Sequence, residues 1–439
     1  MSIVERLTKT PVLLAIMALL QVVWLAVIWL TGAAARGEQW KLLALAAYTL
    51  VAGLAVASFP AAWASKVEQL KDSLLQNERR LVLILAVSVL AVAALFAAYQ
   101  RVLTDEAHLV NASKLVAERG LGPFFASYTK IQWLGSQHPP LAPLTFGLAM
   151  SLLGTNLFVL RLVALLPAVA TVLLTYFLAT ELYDRETGCL AALFLLSFPY
   201  FPRMGSAVLT DVPVTFFFTL GLYLTHRLLR RPTFPLVVAA SVAVGAGLLT
   251  KYTAVLVYPV ILGWIVVLDS ARRLKAHLAV LALVSFGMLA LWLAVAYSSG
   301  ILAAQGETLA NYAGVATSAR GGMRWALEFL LTRLPSALGV YNLPLILLGG
   351  LYLLVTRSKA DWLILVWIGV VFGVVTLTLP DARYFMPAFP ALGIALARAG
   401  VKRFYAAPGR VVSLALLYCG GALYLFVDWF RAGYIFIQR

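Results

Sequence analysis

Asp105-Glu106 stands directly behind the apolar run Leu81–Tyr99, in a chain of 439 residues that carries only 18 acids. Carboxylates placed where an apolar helix leaves a bilayer are costly unless they face water or a partner, so they point to a functional site. Thr104-Asp105-Glu106-Ala107-His108 opens a polar segment that closes with Gln137-His138-Pro139-Pro140-Leu141. A carboxylate at the edge of a low-dielectric slab resists ionisation, which suits a general base near neutral pH. The same residues would also begin a helix, because Thr and Asp are good N-caps and Glu fits a first turn. The paired prolines fix the entry of the next segment and hold His138 near the acids. The reading drawn from these residues is the catalytic centre of a membrane enzyme.

Three later clusters add partners. Arg203 precedes Thr210-Asp211-Val212-Pro213, where Asp211 is either a helix N-cap or a second acid facing Asp105. Lys251, in Leu249-Thr250-Lys251-Tyr252, interrupts a long apolar stretch. A cation at mid-helix costs roughly 2.5–3.5 kcal/mol on the insertion scale, so Lys251 either snorkels to headgroups or serves as counter-ion to a lipid phosphate. Arg383, in Pro380-Asp381-Ala382-Arg383-Tyr384, either closes a surface turn with Asp381 or clamps a phosphate with its permanent charge. Arg320 and Arg324 lie in the long polar gap 298–336.

The elements that must position these residues are apolar helices. The chain is 62% hydrophobic with a mean hydropathy of +0.93, more apolar side chain than a soluble fold of this length hides. Net charge is +16, but the cations fall in short gaps between apolar runs, and no basic helix with interleaved aromatics suggests nucleic acid. They read instead as topology signals and contacts to anionic headgroups. Cys189 and Cys419 both lie in apolar runs, which argues against a disulfide or cysteine metal site. The hydropathy pattern predicts spans over 11–31, 42–64, 81–100, 158–182, 188–205, 212–229, 234–249, 252–268, 277–297, 337–355, 361–379, 384–399 and 411–428. Val12–Leu30 is read as a retained helix despite Ala33-Ala34-Ala35 behind it. Residues 141–153 are too short to cross and are read as an interfacial helix. This choice leaves the cation-rich gaps 65–80, 230–233, 269–276, 356–360 and 400–410 on the cytoplasmic side. It also sets 101–157, 206–211, Lys251, 298–336 and 380–383 together on the outer face. The expected fold is all-α, a polytopic transmembrane bundle of about 13 spans with interfacial helices in the first outer loop. Three units are expected: a two-helix extension with a charged connector (1–80), a catalytic module (81–300), and an outer loop with C-terminal helices (301–439).

The set resembles the membrane-embedded GT-C glycosyltransferases that use polyprenyl-phosphate sugars. Within that class it is similar to protein O-mannosyltransferases, lipid A aminoarabinose transferases and rhizobial galacturonosyltransferases of lipopolysaccharide. The resemblance runs over about residues 81–400, through Asp105-Glu106, His138-Pro139-Pro140-Leu141, Arg161-Leu162, Leu166-Pro167, Gly188, Asp211-Val212-Pro213, Leu249-Thr250-Lys251, and Arg383-Tyr384 with Pro387 and Pro390. It implies that Asp105 is the catalytic acid/base, that Asp211 is the second-loop acid, and that Lys251 and Arg383 lie near the donor phosphate. Aminoarabinose transferases carry Glu-Lys before the two prolines where this chain has Gln137-His138. The expected catalytic set is Asp105, Glu106 and Asp211, and the expected substrate-binding set is His108, His138, Lys251, Arg383, Tyr384, Arg320, Arg324 and Arg203.

The expected activity moves a sugar from a polyprenyl-phosphate donor to a hydroxyl of a glycolipid, polysaccharide or lipopolysaccharide on the periplasmic side of a bacterial inner membrane. Loops 109–136 and 298–336 are the places where acceptor choice would lie. No metal is assigned and no cofactor is demanded, although a divalent cation bridging Asp105 and Asp211 suits hard carboxylate ligands. Expected partners are the lipid-linked sugar, a glycan or lipid acceptor and membrane lipids, with no nucleic acid. Two rivals stand beside this reading: a protein O-mannosyltransferase-like enzyme, and a flippase or transporter of lipid-linked sugars. Transporters tend to show internal repeats and midplane charges, whereas here the polar groups cluster at one rim.

Overall fold

The computed structural model describes residues 72–99, 102–131, 138–268, 271–307, 325–339, 342–378 and 380–403, with the single positions 23, 26, 69 and 310. The spans expected at 11–31, 42–64 and 411–428 lie outside the described residues, as do Gln137, Arg320 and Arg324. Among the described residues every regular element is helical.

Helix α1 (Glu78–Tyr99) leads to a segment whose described part is helical: α2 (Thr104–Arg119), α3 (Leu121–Ala126) and α4 (Leu141–Leu153). The long helix α5 (Leu157–Leu182) turns back through α6 (Arg185–Ser197) and α7 (Tyr200–Gly205) to α8 (Asp211–Arg230). Next come α9 (Phe234–Thr250), α10 (Val257–Val267) and α11 (Ala271–Ser298). Further along the chain follow α12 (Leu334–Leu338), α13 (Leu343–Thr356), α14 (Lys359–Thr378), α15 (Ala382–Phe385) and α16 (Phe389–Arg403). Four described helices are long and apolar enough to cross a membrane: Leu157–Leu182, Asp211–Arg230, Lys275–Ser298 and Lys359–Thr378.

Several expected spans are divided, and the sequence supplies the reason. The run 188–205 breaks after Ser197 because Phe198, ahead of Pro199, takes an extended backbone. The run 337–355 breaks at Gly339, whose φ of +80° costs little only without a Cβ. Asn342 binds both broken ends: its Nδ2 donates to the Leu338 carbonyl at 2.7 Å and to Ser197 Oγ at 3.1 Å. The run 384–399 starts as α15 and a 3-10 turn, Met386–Ala388, before α16 begins. The run 252–268 opens with the 3-10 turn Tyr252–Leu256 ahead of α10.

Residues 141–153 form the short helix expected of them, about 20 Å long by its 13 residues. It lies against α2, with Gly147 so close that an added Cβ would sit 2.6 Å from Val116 Cβ and 2.9 Å from the Ser113 carbonyl oxygen. Leu109 of α2 joins Phe146 and Met150 of α4 and Leu160 of α5 in one buried cluster, while Phe124 and Tyr128 pack with Trp292 and Ala296 of α11. The described part of 104–153 is thereby pinned between α5 and α11.

The bundle core is aromatic at its centre. Trp367 stacks on Phe218 with ring centroids 6.0 Å apart, and its Nε1 donates to the Pro387 carbonyl at 2.9 Å. Phe385 is buried against Phe329, Phe372 and Phe389. These contacts anchor the short α15, so that its remaining residues, Arg383 and Tyr384, are held at a fixed place.

The two ends of the bundle carry different polar groups. One end gathers Glu78, the turn at 182–185 and the start of α14. There Tyr183 Oη donates to Asp361 at 2.9 Å, Arg398 lies 3.5 Å from the same carboxylate, Tyr223 Oη donates to Glu181 at 3.0 Å, and Arg185 pairs with Glu78. The other end, about 39 Å away along the 26 residues of α5, gathers the acids and cations singled out for chemistry.

Candidate active site

Adjacent carboxylates on a helix point about a quarter-turn or more apart, so Asp105 and Glu106 cannot share an environment. Glu106 is fully buried. Its carboxylate accepts from Arg161 Nε at 2.8 Å and Nη2 at 2.7 Å, from the Val208 amide at 3.0 Å and from the Leu103 amide at 3.3 Å. Arg161 in turn donates from Nη1 to the Ala97 carbonyl at 2.9 Å. One buried, bidentate pair thus ties the end of α1, the start of α2, α5 and the turn before α8 together. Glu106, expected in the catalytic set, stands inside packed protein with no exposed surface.

Asp105 faces the other way. Its Oδ2 accepts from Arg383 Nη1 of α15, and the pair is only partly covered, with Asp105 23% and Arg383 31% exposed. Asp381, which caps α15 through the Arg383 amide at 2.8 Å, lies 3.7 Å from Arg383 Nε. Burial by itself would lower the pKa of Arg383, but Asp211, Asp105 and Asp381 outweigh it and raise it. Two carboxylates, Asp105 and Asp381, therefore lie against this one guanidinium, with Asp211 acting on it through its charge.

Asp211 is the first residue of α8, and Pro213 is tolerated there because the first helical turn leaves its amides free. Its Oδ1 accepts from Lys251 Nζ at 2.6 Å, with both side chains buried. Lys251 ends α9 in an extended conformation, and its ammonium stands 4.5 Å from the centre of the Tyr384 ring. It does not snorkel outward. Asp105, Arg383, Tyr384, Lys251 and Asp211, far apart in sequence, meet at one end of the bundle.

His138 belongs to the same place. Its imidazole is lowered to about 3, first by burial and then by Lys251, with Asp211 opposing the shift and Arg383 adding a smaller push in the same direction as burial. It is a neutral ring at physiological pH. Its backbone carbonyl accepts from Tyr128 Oη at 2.7 Å and Gln305 Nε2 at 3.2 Å. His108 lies half-buried on α2, three residues beyond Asp105 and so on the same side of the helix. Arg203 is half-buried on α7 beside Tyr200, whose phenol is pushed up to about 12 by burial and by the nearby Asp381. Tyr200, Asp381, Tyr252 and Gln305 were not singled out from the sequence as site residues. A carboxylate two residues before Arg383 was visible there, but the others carry no pattern that marks them.

Among the described residues no group of three or more His, Cys, Asp and Glu side chains is placed to hold a metal ion. Asp105 and Asp211, the carboxylates that a bridging divalent cation would use, hold Arg383 and Lys251.

The architecture is that of the GT-C membrane glycosyltransferases, the class the sequence resembles. A model of the dolichyl-phosphate-mannose-protein mannosyltransferase family matches residues 137–297. A crystal structure of apo ArnT from Cupriavidus metallidurans superposes with a TM-score of 0.55 at 16% identity, over 72% of this chain and 59% of that one. The same protein bound to undecaprenyl phosphate gives a TM-score of 0.51 at 17% identity, over 74% and 60%. The oligosaccharyltransferase of Archaeoglobus fulgidus, in complex with zinc and sulfate, gives 0.52 at 18% identity, over 77% and 53%. The chain thus matches between 53% and 60% of the length of these structures. None of the curated proteins compared with the chain matches it.

Proposed function

We propose that the protein is a membrane glycosyltransferase that moves a sugar from a polyprenyl-phosphate donor to a hydroxyl of a glycan or lipid. The observation that carries this reading is the meeting of a half-exposed carboxylate–guanidinium pair with a buried carboxylate–ammonium pair at one end of an apolar bundle. The likeness to ArnT, a protein also crystallised with undecaprenyl phosphate, supports the donor class. The site stands at the end of the bundle opposite the described parts of the cation-rich gaps, Arg79-Arg80, Arg230-Arg231, and Arg357 with Lys359. By the positive-inside rule this favours a site facing the periplasm of a bacterial inner membrane.

The exposures divide the labour. Asp105, reachable from water, is the base: it takes the acceptor's proton as the hydroxyl oxygen bonds to the anomeric carbon. The bond from that carbon to the phosphate oxygen breaks, and polyprenyl phosphate leaves. Arg383 is the cation a phosphate reaches first, because Lys251 is buried and committed to Asp211. A phosphate drawing on the guanidinium loosens its hold on Asp105, so donor binding and activation of the base are linked. Lys251 adds fixed positive field behind the leaving group, worth more in a low-dielectric site than in water. No general acid is needed for a leaving group held by cations, and a single displacement inverts the anomeric centre. Glu106 acts through position, since it holds the start of α2 that carries Asp105.

The test is release of free polyprenyl phosphate by reconstituted protein from a panel of polyprenyl-phosphate hexoses and pentoses, with envelope extracts as acceptor. Acceptor-dependent release supports the proposal. Passage of intact donor across the bilayer with no release would favour a flippase and end it.

A further inference from the structure

Four side chains outside the ion pairs form a directed relay. Trp292 Nε1 donates to Tyr252 Oη at 2.8 Å, Tyr252 Oη donates to Gln305 Oε1 at 2.7 Å, and Gln305 Nε2 donates to the His138 carbonyl at 3.2 Å. Tyr128 Oη reaches the same carbonyl at 2.7 Å. The direction of every proton is fixed by chemistry. An indole can only donate and a backbone carbonyl can only accept, so the tyrosine hydroxyl must pass its single proton to Gln305. That in turn fixes which way the Gln305 amide faces.

Gln305 is buried, as are His138, Tyr128 and Trp292. Tyr252 follows Lys251 directly in the chain, and its 3-10 turn begins where α9 ends. The relay therefore joins the two walls of the site: the turn that carries Lys251 and the His138-Pro139-Pro140 strap that enters α4. The Gln305 carboxamide does two things at once: it accepts from the Tyr252 phenol and donates to the His138 carbonyl. An ionised carboxylate lacks the donor and an alkyl chain lacks both. Packing alone would be served by an apolar residue in this aromatic cluster, without the need to satisfy buried polar atoms.

Resting on the glycosyltransferase reading above, we propose that Gln305 and Tyr252 are positioning residues that set the His138 strap against the Asp211–Lys251 pair. They touch neither donor nor acceptor. They fix the wall on which the reacting groups are aligned, and because Gln305 sits in the segment 301–307 that enters the second outer loop, they tie that loop to the strap.

The experiment compares wild type, Tyr252→Phe, Gln305→Met and the double variant as full-length protein in proteoliposomes. The donor is a polyprenyl-phosphate sugar on which wild type is active. A displacement of the order of 1 Å near reacting groups costs up to about 100-fold, so kcat is expected to fall about 10- to 100-fold with little change in KM for the donor. The two substitutions act on one relay, so the double variant is expected to lose no more than the worse single one. Tyr252→Phe removes one oxygen atom and keeps the packing, which guards against loss of fold. A second arm needs no turnover: nitrogen-15 histidine NMR, with the His138 signal assigned by its loss in His138→Gln. Wild type should hold that ring neutral at pH 5, and Gln305→Met should move its titration toward 6.5. Folded variants with wild-type kcat, additive losses, or an unmoved His138 signal would each overturn the inference. Absence of transfer by wild type with every donor would defeat the proposed function instead, and leave the NMR arm to decide this one.

Discussion

Replacing Glu106 by Gln keeps its shape and removes its charge. The Arg161 guanidinium, about 4% exposed, would then lose the carboxylate charge it now holds bidentately. Oε1 of the new amide can still accept from Arg161 Nε and the Val208 amide, but its NH2 group would face Arg161 Nη2 and the Leu103 amide, donor against donor. Breaking a buried pair by neutralising one partner costs about 3–5 kcal/mol, because the surviving charge stays buried. A loss that large would consume much of a marginal stability. The paired replacement Glu106→Leu with Arg161→Met removes both charges and fills the space, and such exchanges are often neutral or stabilising by about 1–4 kcal/mol. The assay is thermal unfolding of purified protein in one detergent, with the yield of monodisperse protein alongside. Glu106→Gln should unfold far below wild type, and the double variant should recover most of the difference. A Glu106→Gln protein as stable as wild type, or a double variant weaker than the single one, would refute the reasoning. Asp105→Asn, one residue away at a half-exposed pair, should cost little stability, because partly solvated ion pairs contribute about 0–1 kcal/mol.

The remaining predictions use the same measurements. Lys251→Met leaves Asp211 buried without its cation and should destabilise by about 3–5 kcal/mol, whereas Lys251→Met with Asp211→Leu should restore folding without restoring transfer. His138 is lowered to about 3 by burial, Lys251 and Arg383, while in the unfolded chain it takes up a proton near 6.5, so the unfolded state binds more protons between those values. Stability is therefore complete above pH 6.5 and falls on acidification toward pH 3 at about 1.4 kcal/mol per pH unit. His138→Gln should lack that component, read as the difference between the two curves of Tm against pH. Gly147→Ala puts a methyl group against Val116 and the Ser113 carbonyl, and should cost about 1–3 kcal/mol by forcing α2 from α4. An unchanged melting temperature in that variant would mean the two helices are not held as tightly as their contact indicates.

Much of the helical frame was legible in the sequence. Runs such as 158–182, 212–229 and 361–379 fall within two residues of the helices observed, because hydropathy and length constrain a bilayer-crossing helix strongly. The division after Ser197 was not legible in hydropathy: Phe198 before Pro199 disfavours helical backbone, but Leu166 before Pro167 does so too and α5 runs on through it. Nor was pairing. Lys251 and Asp211 are 40 residues apart and Arg383 and Asp105 are 278 apart, and no periodicity states which acid meets which cation. Adjacency in sequence suggested a shared role for Asp105 and Glu106, but helix geometry turns one outward and the other into the core. Arg161 was the available signal, since an arginine inside an apolar helix needs an anion. Gln305 had no such marker: its partners are a phenol and a backbone carbonyl, and backbone groups leave no trace in composition.

The central claim is that Asp105 is the base of a sugar transfer whose leaving group is a lipid phosphate. Side-by-side turnover of a labelled polyprenyl-phosphate sugar by wild-type and Asp105→Asn protein, at equal yield and equal melting temperature, tests it most directly. The account predicts acceptor-dependent release of polyprenyl phosphate by wild type and none above background by the variant. Equal release by both would contradict it.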